Sequence, residues 1–189
     1  TLPFAANAAL SVLWILTCAN AFNILDVSDG LATTAGAVGA LGFAVVAYLN
    51  GEPLVLTANA ALLGACLGFL WFNREPARMY LGDTGSMLIG TLLGAFAMIG
   101  RYSESNDLSP LFVPLAVVAA PLFDLGLVIL ARLAGGKVIW HGSPDHYAIR
   151  LKNAGWSARG VARLTAVLGA LYAARGQVRN QALGAGPGH

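Results

Sequence analysis

Long apolar runs separated by short polar breaks constrain this chain more than any other feature. A helix needs about 20 mostly apolar residues to cross the hydrocarbon core of a bilayer. Such runs occupy Leu2–Phe22, Leu31–Leu49, Leu54–Phe72, Thr84–Ile99 and Leu111–Leu133, with a weaker sixth at Val161–Ala174. The breaks carry turn chemistry: Asn50-Gly51-Glu52-Pro53 is a turn, and 103–110 is a polar loop ended by proline. The expected fold class is therefore all-α, a polytopic transmembrane helical bundle with about five to six spans. Composition agrees, because 57% of residues are hydrophobic and only 11% charged. A soluble domain carries about 25% charged side chains to cover its surface. Lipid bilayer is the expected solvent over much of this one.

Net charge is +2 and no basic run stands out, which speaks against nucleic acid as a partner. Cys18 and Cys66 lie inside apolar runs without metal-ligand spacing and read as small buried hydrophobes. The chain opens at Thr1 with no charged segment leading to a cleavage site, so it does not read as a signal-peptide precursor. It reads instead as a fragment or the end of a longer chain, with 1–175 a transmembrane domain and 176–189 a polar, disordered tail. Glycines within the runs (Gly36, Gly39, Gly42, Gly64, Gly68, Gly90, Gly94) predict close helix packing.

Lysine and arginine set the expected orientation. If the first run ends inside, the internal loops and their edges hold Arg74, Arg78, Arg132, Lys137, Arg150, Lys152, Arg159 and Arg163. The other side holds Arg101 with acidic Glu52, Glu104 and Asp107, while Arg175 and Arg179 fit poorly if the sixth run crosses fully. The expectation is a multi-pass protein of the plasma or bacterial inner membrane with its polar loops on the cytoplasmic face.

Those internal loops hold most of the remaining polar chemistry. In the first, Asn23, Asp26 and Asp29 are spaced by three and would share a face if helical. Close carboxylates repel unless a cation or proton joins them, so this is either a solvated helix end or a site for a cation or phosphate donor. In the second, Gly82 and Gly85 flank Asp83 where the next span begins. Free N–H groups at a helix start favour phosphate, and Asp83 could hold Mg²⁺ beside it. The alternative is that Asp83 or Thr84 merely caps the helix. In the third, Ser143 as cap, Pro144 at the first helical position and Gly155 as stop describe a short helix. His146 and Arg150 then lie one turn apart, as an anion clamp or as structural residues. Asp124, inside the fifth run, is either functional or paired with a neighbouring helix.

Together these segments resemble the polyprenyl-phosphate N-acetylhexosamine-1-phosphate transferase family, which is also called glycosyltransferase family 4. Its members include phospho-N-acetylmuramoyl-pentapeptide transferase and the enzymes that start O-antigen and teichoic acid synthesis. The stretch from Asn20 to Ala32 is similar to the family's N-A-x-N-x-x-D-G-x-D-G-L-A. The stretch from Phe69 to Ser86 is similar to F-L-x-x-N…P-A…G-D-x-G-S, and Pro121-Leu122-Phe123-Asp124 fits the following span. The resemblance extends to about Arg163. It implies Mg²⁺ as cofactor with Asp83 as ligand, and Asp26, Asp29 and Asp83 as the catalytic set, with Asn23 beside them. It implies Asn73 and Tyr80 at the uracil, and His146 and Arg150 in the donor-binding loop.

The sequence also departs from the family pattern. Val27 stands where glycine is usual, and Ala148 and Ile149 where further histidines are common, although Asp145-His146 through Arg150-Leu151 is similar to a D-H-x-x-x-R-L subgroup. The family's upstream loop of adjacent aspartates and several of its N-terminal spans have no counterpart here, so the resemblance implies that 1–175 is the C-terminal part of the transferase domain. The implied reaction moves a sugar phosphate, of N-acetylhexosamine type, from a UDP-sugar to an undecaprenyl-type polyprenyl phosphate, releasing UMP, in cell-envelope synthesis. The 189 residues alone are expected to be inactive, and a homodimer is compatible with the reading. Two alternatives remain, an inactive truncated relative and an ion-coupled transporter fragment, although no internal repeat supports the second. A CDP-alcohol phosphotransferase is disfavoured because Asp29-Gly30-Leu31-Ala32-Thr33-Thr34 lacks that family's arginine, and no aspartate follows before Asp83.

Overall fold

A computed structural model describes residues 3–100, 114–136, 146–157 and 159–167. The described chain is helical: α1 (Phe4–Leu25), α2 (Leu31–Leu49), α3 (Pro53–Asn73), α4 (Gly82–Ile99), α5 (Ala119–Ala134) and the short α6 (Tyr147–Asn153). Residues 159–167 are helical as well. Helices α1 to α4 are each long and apolar enough to cross a membrane. The fifth predicted span is helical from 114 to Ala134, with a break at Val118, and its first residues lie outside the described ones. So do the loop around Arg101, the second half of the predicted sixth span (168–174), and the tail.

The connections explain the alternating up-and-down course. Gly30 takes a left-handed conformation (φ 72°) immediately before α2, which turns the chain back within a few residues. Proline opens α3 at its first position, where a missing N–H costs nothing. Helix α2 packs against α3, α1 against α4 and α5, and α2 also against α4. It is therefore the central helix: 72% of its hydrophobic stretch is buried within the protein, against 17% for α3. The core gathers Cys18, Phe22, Leu25, Leu31, Phe43, Ile89 and Leu93. Cys18 and Cys66 are both buried and free, as expected.

Glycine brings α1 and α4 together. A Cβ on Gly90 would lie 2.5 Å from the Cys18 carbonyl oxygen and 2.8 Å from Ala19 Cα, so only glycine fits this crossing. The Trp14 indole N–H donates to the Gly94 carbonyl one turn further along (3.0 Å) and fixes the register. Gly36 and Gly39 face Ile89 and Leu93 in the same way. The expectation of close packing is not met at Gly64 and Gly68, which have nothing within 4 Å. They lie on α3, which turns most of its surface away from the described bundle.

Candidate active site at one membrane face

Three connections meet at one end of the bundle: 26–30, 74–81 and the segment leading into residues 159–167. Helix α1 ends at Leu25, and Asp26 follows it with non-helical backbone (φ −76°, ψ 50°). Asp26 and Asp29 therefore do not share a helical face, contrary to the reading from their spacing. The Val27 N–H reaches back to the Leu25 carbonyl and the Leu31 N–H to Ser28, so this is a tight turn rather than an extra helical turn. The turn still leaves the carboxylates near one another electrostatically. Burial first, and then the charges of Asp83 and Asp29, push the Asp26 carboxyl up from 3.8 to about 6.

Asp83 sits in the first turn of α4, but no side chain caps that helix. The capping alternative for Asp83 and Thr84 is thereby removed. Its carboxylate instead accepts a hydrogen bond from the Asn23 amide of α1 (3.0 Å), and the same amide lies 3.3 Å from Ser86 Oγ. The Ser86 hydroxyl donates back to the Gly82 or Asp83 carbonyl. Two motifs 60 residues apart are joined in this way, and the α1–α4 glycine contact makes the approach feasible.

Asp29 is used differently. It accepts the backbone N–H of Ala77 (2.9 Å) and so anchors the 74–81 loop to the turn after α1. Asn73 supports the same loop from below: it is buried, accepts from the Thr33 hydroxyl (2.7 Å) and donates to the Met79 carbonyl (2.9 Å). Both ends of its amide are thus engaged within the protein. Tyr80, two residues before Gly82, is 78% exposed, and its ring is free for stacking. The loop is further clasped by Arg159, whose guanidinium donates to the Glu75 carbonyl (2.6 Å) and whose backbone N–H reaches the Glu75 carboxylate.

The third segment departs from its predicted start. Helix α6 begins at Tyr147 with His146 as its N-terminal flank, while Ser143 and Pro144 lie outside the described residues. The reason is Asp124. Fully buried on α5, it accepts the Tyr147 N–H on one oxygen (2.9 Å) and meets His146 Nδ1 on the other (2.8 Å). This carboxylate does the work a capping side chain would do. The pairing alternative for Asp124 is the one observed. Gly155 ends the segment with φ 93°, as predicted, and Arg150 lies one turn beyond His146, on an exposed position.

Asp124→Ala would leave the Tyr147 N–H and the His146 ring without their partner. An orphaned buried polar group costs about 1–3 kcal/mol, so the variant should melt earlier and lose hydrogen-exchange protection at Tyr147. An unchanged melting temperature and protection would contradict this assignment.

Among the described residues, no three acidic, histidine or cysteine side chains are close enough to enclose a metal ion. Mg²⁺, however, is commonly held by one or two carboxylates, with substrate phosphates and water completing its shell. Asp83 and Asp26 fit that requirement: both are carboxylates at the same face, and their mutual repulsion is what a cation would relieve. Ser28 Oγ between Asp26 and Asp29 is buried without a hydrogen-bond partner among the described residues, an oxygen left over by the protein itself. Sequence reasoning missed the roles of Glu75 and Arg159. Neither belongs to a motif, and their 84-residue separation left no local signal.

The profile of glycosyl transferase family 4 matches residues 1–101. The chain is 33% identical over 150 residues to a probable undecaprenyl-phosphate N-acetylglucosaminyl 1-phosphate transferase of Bacillus subtilis, covering 79% of this chain and 42% of that protein. It is 37% identical over 183 residues to a putative glycosyltransferase of Streptomyces coelicolor, covering 92% and 44%. A phospho-N-acetylmuramoyl-pentapeptide-transferase of Desulforamulus reducens is 34% identical over 172 residues, covering 86% and 49%. The chain thus spans less than half the length of each of these relatives.

Proposed function

The chain belongs to glycosyl transferase family 4, and from that premise we propose that it is the part of a membrane transferase that moves a sugar phosphate from a UDP-sugar to a polyprenyl phosphate. The carrying observation is the Asn23–Asp83 hydrogen bond, with Asp26 electrostatically coupled to Asp83 and Asp29 at the same membrane face. The names of the relatives from Bacillus subtilis and Desulforamulus reducens support the reaction class, and that of the Bacillus subtilis protein supports the undecaprenyl-type acceptor. The donor is of UDP-N-acetylhexosamine type, the product serves cell-envelope synthesis, and the site faces the cytoplasm of the inner or plasma membrane.

The chemistry requires two anions to be brought together. An oxygen of the lipid phosphate forms a bond to the β-phosphorus of the donor, the bond from that phosphorus to the bridging oxygen breaks, and UMP leaves. Mg²⁺, held by Asp83 with Asp26 nearby, would supply neutralising charge for the phosphates. The protein's own groups do the rest. Asn23 holds the Asp83 carboxylate in place, Asp29 and Asn73 fix the loop that presents Tyr80, and Tyr80 offers a ring to the uracil. His146, held by Asp124, and Arg150 carry the donor-side contacts. The acceptor's hydrocarbon stays in the bilayer while its phosphate reaches the loops, which is why the site lies at a helix end. The test is UMP release from a UDP-N-acetylhexosamine by the complete enzyme with polyprenyl phosphate. Release should need both Mg²⁺ and the lipid; lipid-independent release would overturn the reading.

The raised Asp26 carboxyl gives a pH dependence. With a folded value of about 6 above the ordinary 3.8, the folded state binds more protons than the unfolded one between them. In metal-free protein, stability should therefore rise as pH falls from about 6 toward 4, and a divalent cation should bind more tightly as pH rises through 6. In Asp26→Asn the stability change across this window should flatten. Melting curves with and without Mg²⁺ across that range check this. A metal-free protein whose stability falls on acidification through the window would contradict it.

A further inference from the structure

One short segment touches both of the connections that carry the donor-side residues. Residues 159–167 are helical, and Ser157 fixes where they start: its hydroxyl accepts the Gly160 N–H (3.1 Å) and its carbonyl the Val161 N–H (3.0 Å). Helical periodicity puts positions 159, 162 and 163 on one side and 161 and 165 on the opposite one. On the first side Arg159, Ala162 and Arg163 line a cleft together with Glu75 and Arg78 of the 74–81 loop. On the second side Val161 and Thr165 are buried.

Each side holds one connection. The Arg159 guanidinium donates to the Glu75 carbonyl through two of its nitrogens (3.1 and 2.6 Å), and Glu75 belongs to the loop that presents Tyr80. Across the helix, Thr165 Oγ1 meets the Tyr147 hydroxyl. The Thr165 proton is already given to the Val161 carbonyl (2.9 Å), so the phenol O–H is the donor in that contact. Tyr147 directly follows His146, and its own N–H is bound to Asp124 (2.9 Å). The bond at the far end of the Tyr147 ring therefore ties helix 159–167 to the start of α6, where His146 and Arg150 stand. The two ties lie six residues apart, about 9 Å along the helix axis.

We propose that Arg159 and Thr165 are positioning residues for the donor, acting together through helix 159–167 to set the separation between Tyr80 and the His146–Arg150 pair. The inference rests on the transferase reading, in which Tyr80 meets the uracil and α6 the phosphate-sugar end. A donor met at both ends gains from having that separation set beforehand, because ordering two connections against each other otherwise costs binding energy. A ligand that engages one end gains nothing from it. Such a brace behaves as a unit: once it is cut at either tie, cutting the other adds little. Residues that each supported only their own loop, at this spacing and without a shared partner, would have independent effects.

The experiment is a double-mutant cycle in the complete enzyme with R159A, T165V and R159A/T165V. Calorimetric titration with Mg²⁺ present reads the dissociation constants of UDP-N-acetylglucosamine and of uridine. Each single variant should weaken the UDP-sugar by about fivefold or more, and the double variant by no more than about twice the larger single loss. Uridine affinity should change less than about twofold throughout, and T165S, which keeps the hydroxyl, should bind the UDP-sugar as wild type does. If T165V misfolds, Y147F removes the same tie from its other end. Unchanged UDP-sugar affinity in the single variants would overturn the proposal. So would losses that multiply in the double variant, or uridine losses as large as those of the UDP-sugar. A second measurement needs no ligand: spin labels on cysteines introduced at the exposed positions Arg78 and Lys152 report the distance between the loop and α6. Its distribution should broaden in R159A and T165V alike, and an unchanged width in either folded variant would overturn the brace. Wild-type enzyme that binds no UDP-sugar would instead overturn the transferase reading, and the label distances would still decide the coupling.

Discussion

Asp83→Asn is expected to lower sugar-phosphate transfer by about a hundred- to a thousandfold in the complete enzyme, the scale on which losing one transition-state charge contact acts. The helices should remain in place, because the Asp83 side chain does not cap α4 and is exposed at the loop face. An asparagine can still meet the Asn23 amide through its carbonyl oxygen, so the α1–α4 contact survives while the charge is lost. The informative comparison is UMP release against helical signal and melting temperature. Loss of turnover with intact melting supports a catalytic carboxylate. Near-normal turnover at ordinary Mg²⁺ would reduce Asp83 to a structural tie between two helices.

Gly90→Val should produce the largest effect on the fold. The nearest atoms to a new Cβ are backbone atoms of Cys18 and Ala19, which cannot rotate away as a side chain could. Overpacking of this kind costs about 1–3 kcal/mol, and here the relief must come from moving α1 as a whole. Movement of α1 would carry Asn23 away from Asp83, so activity should fall together with stability. Val placed instead at Gly64, which has nothing within 4 Å, is the matched control and should change the fold little. A Gly90→Val protein with wild-type melting and turnover would refute the close crossing.

The spans were readable because the membrane imposes length and composition directly: Leu31–Leu49 was read with both ends correct, while α3 and α4 begin at Pro53 and Gly82, one and two residues before the expected Leu54 and Thr84. Motif carboxylates were readable as candidates for the same reason, since Asp83 beside two glycines is a local pattern. How those residues are used was not local. Asp29 could not be read as the anchor of Ala77, nor Asn73 as a buried tie between Thr33 and Met79, because each depends on a partner 40 or more residues away or on a loop path. The turn at Asp26 escaped a helical reading of the spacing, since nothing in three-residue periodicity reveals where a helix stops. Asp124 shows the converse: its isolation in an apolar run marked it, but only the fold could supply His146.

The central claim is that the phosphate travels with the sugar. It is tested most directly by giving the complete enzyme a UDP-N-acetylhexosamine labelled with ³²P at the β-phosphate, together with polyprenyl phosphate and Mg²⁺. The account predicts that the label passes into the lipid fraction while unlabelled UMP is released, and that Asp83→Asn stops both. Sugar appearing on the lipid with the label left behind in UDP would contradict it, because the reaction would then be glycosyl rather than phospho-sugar transfer.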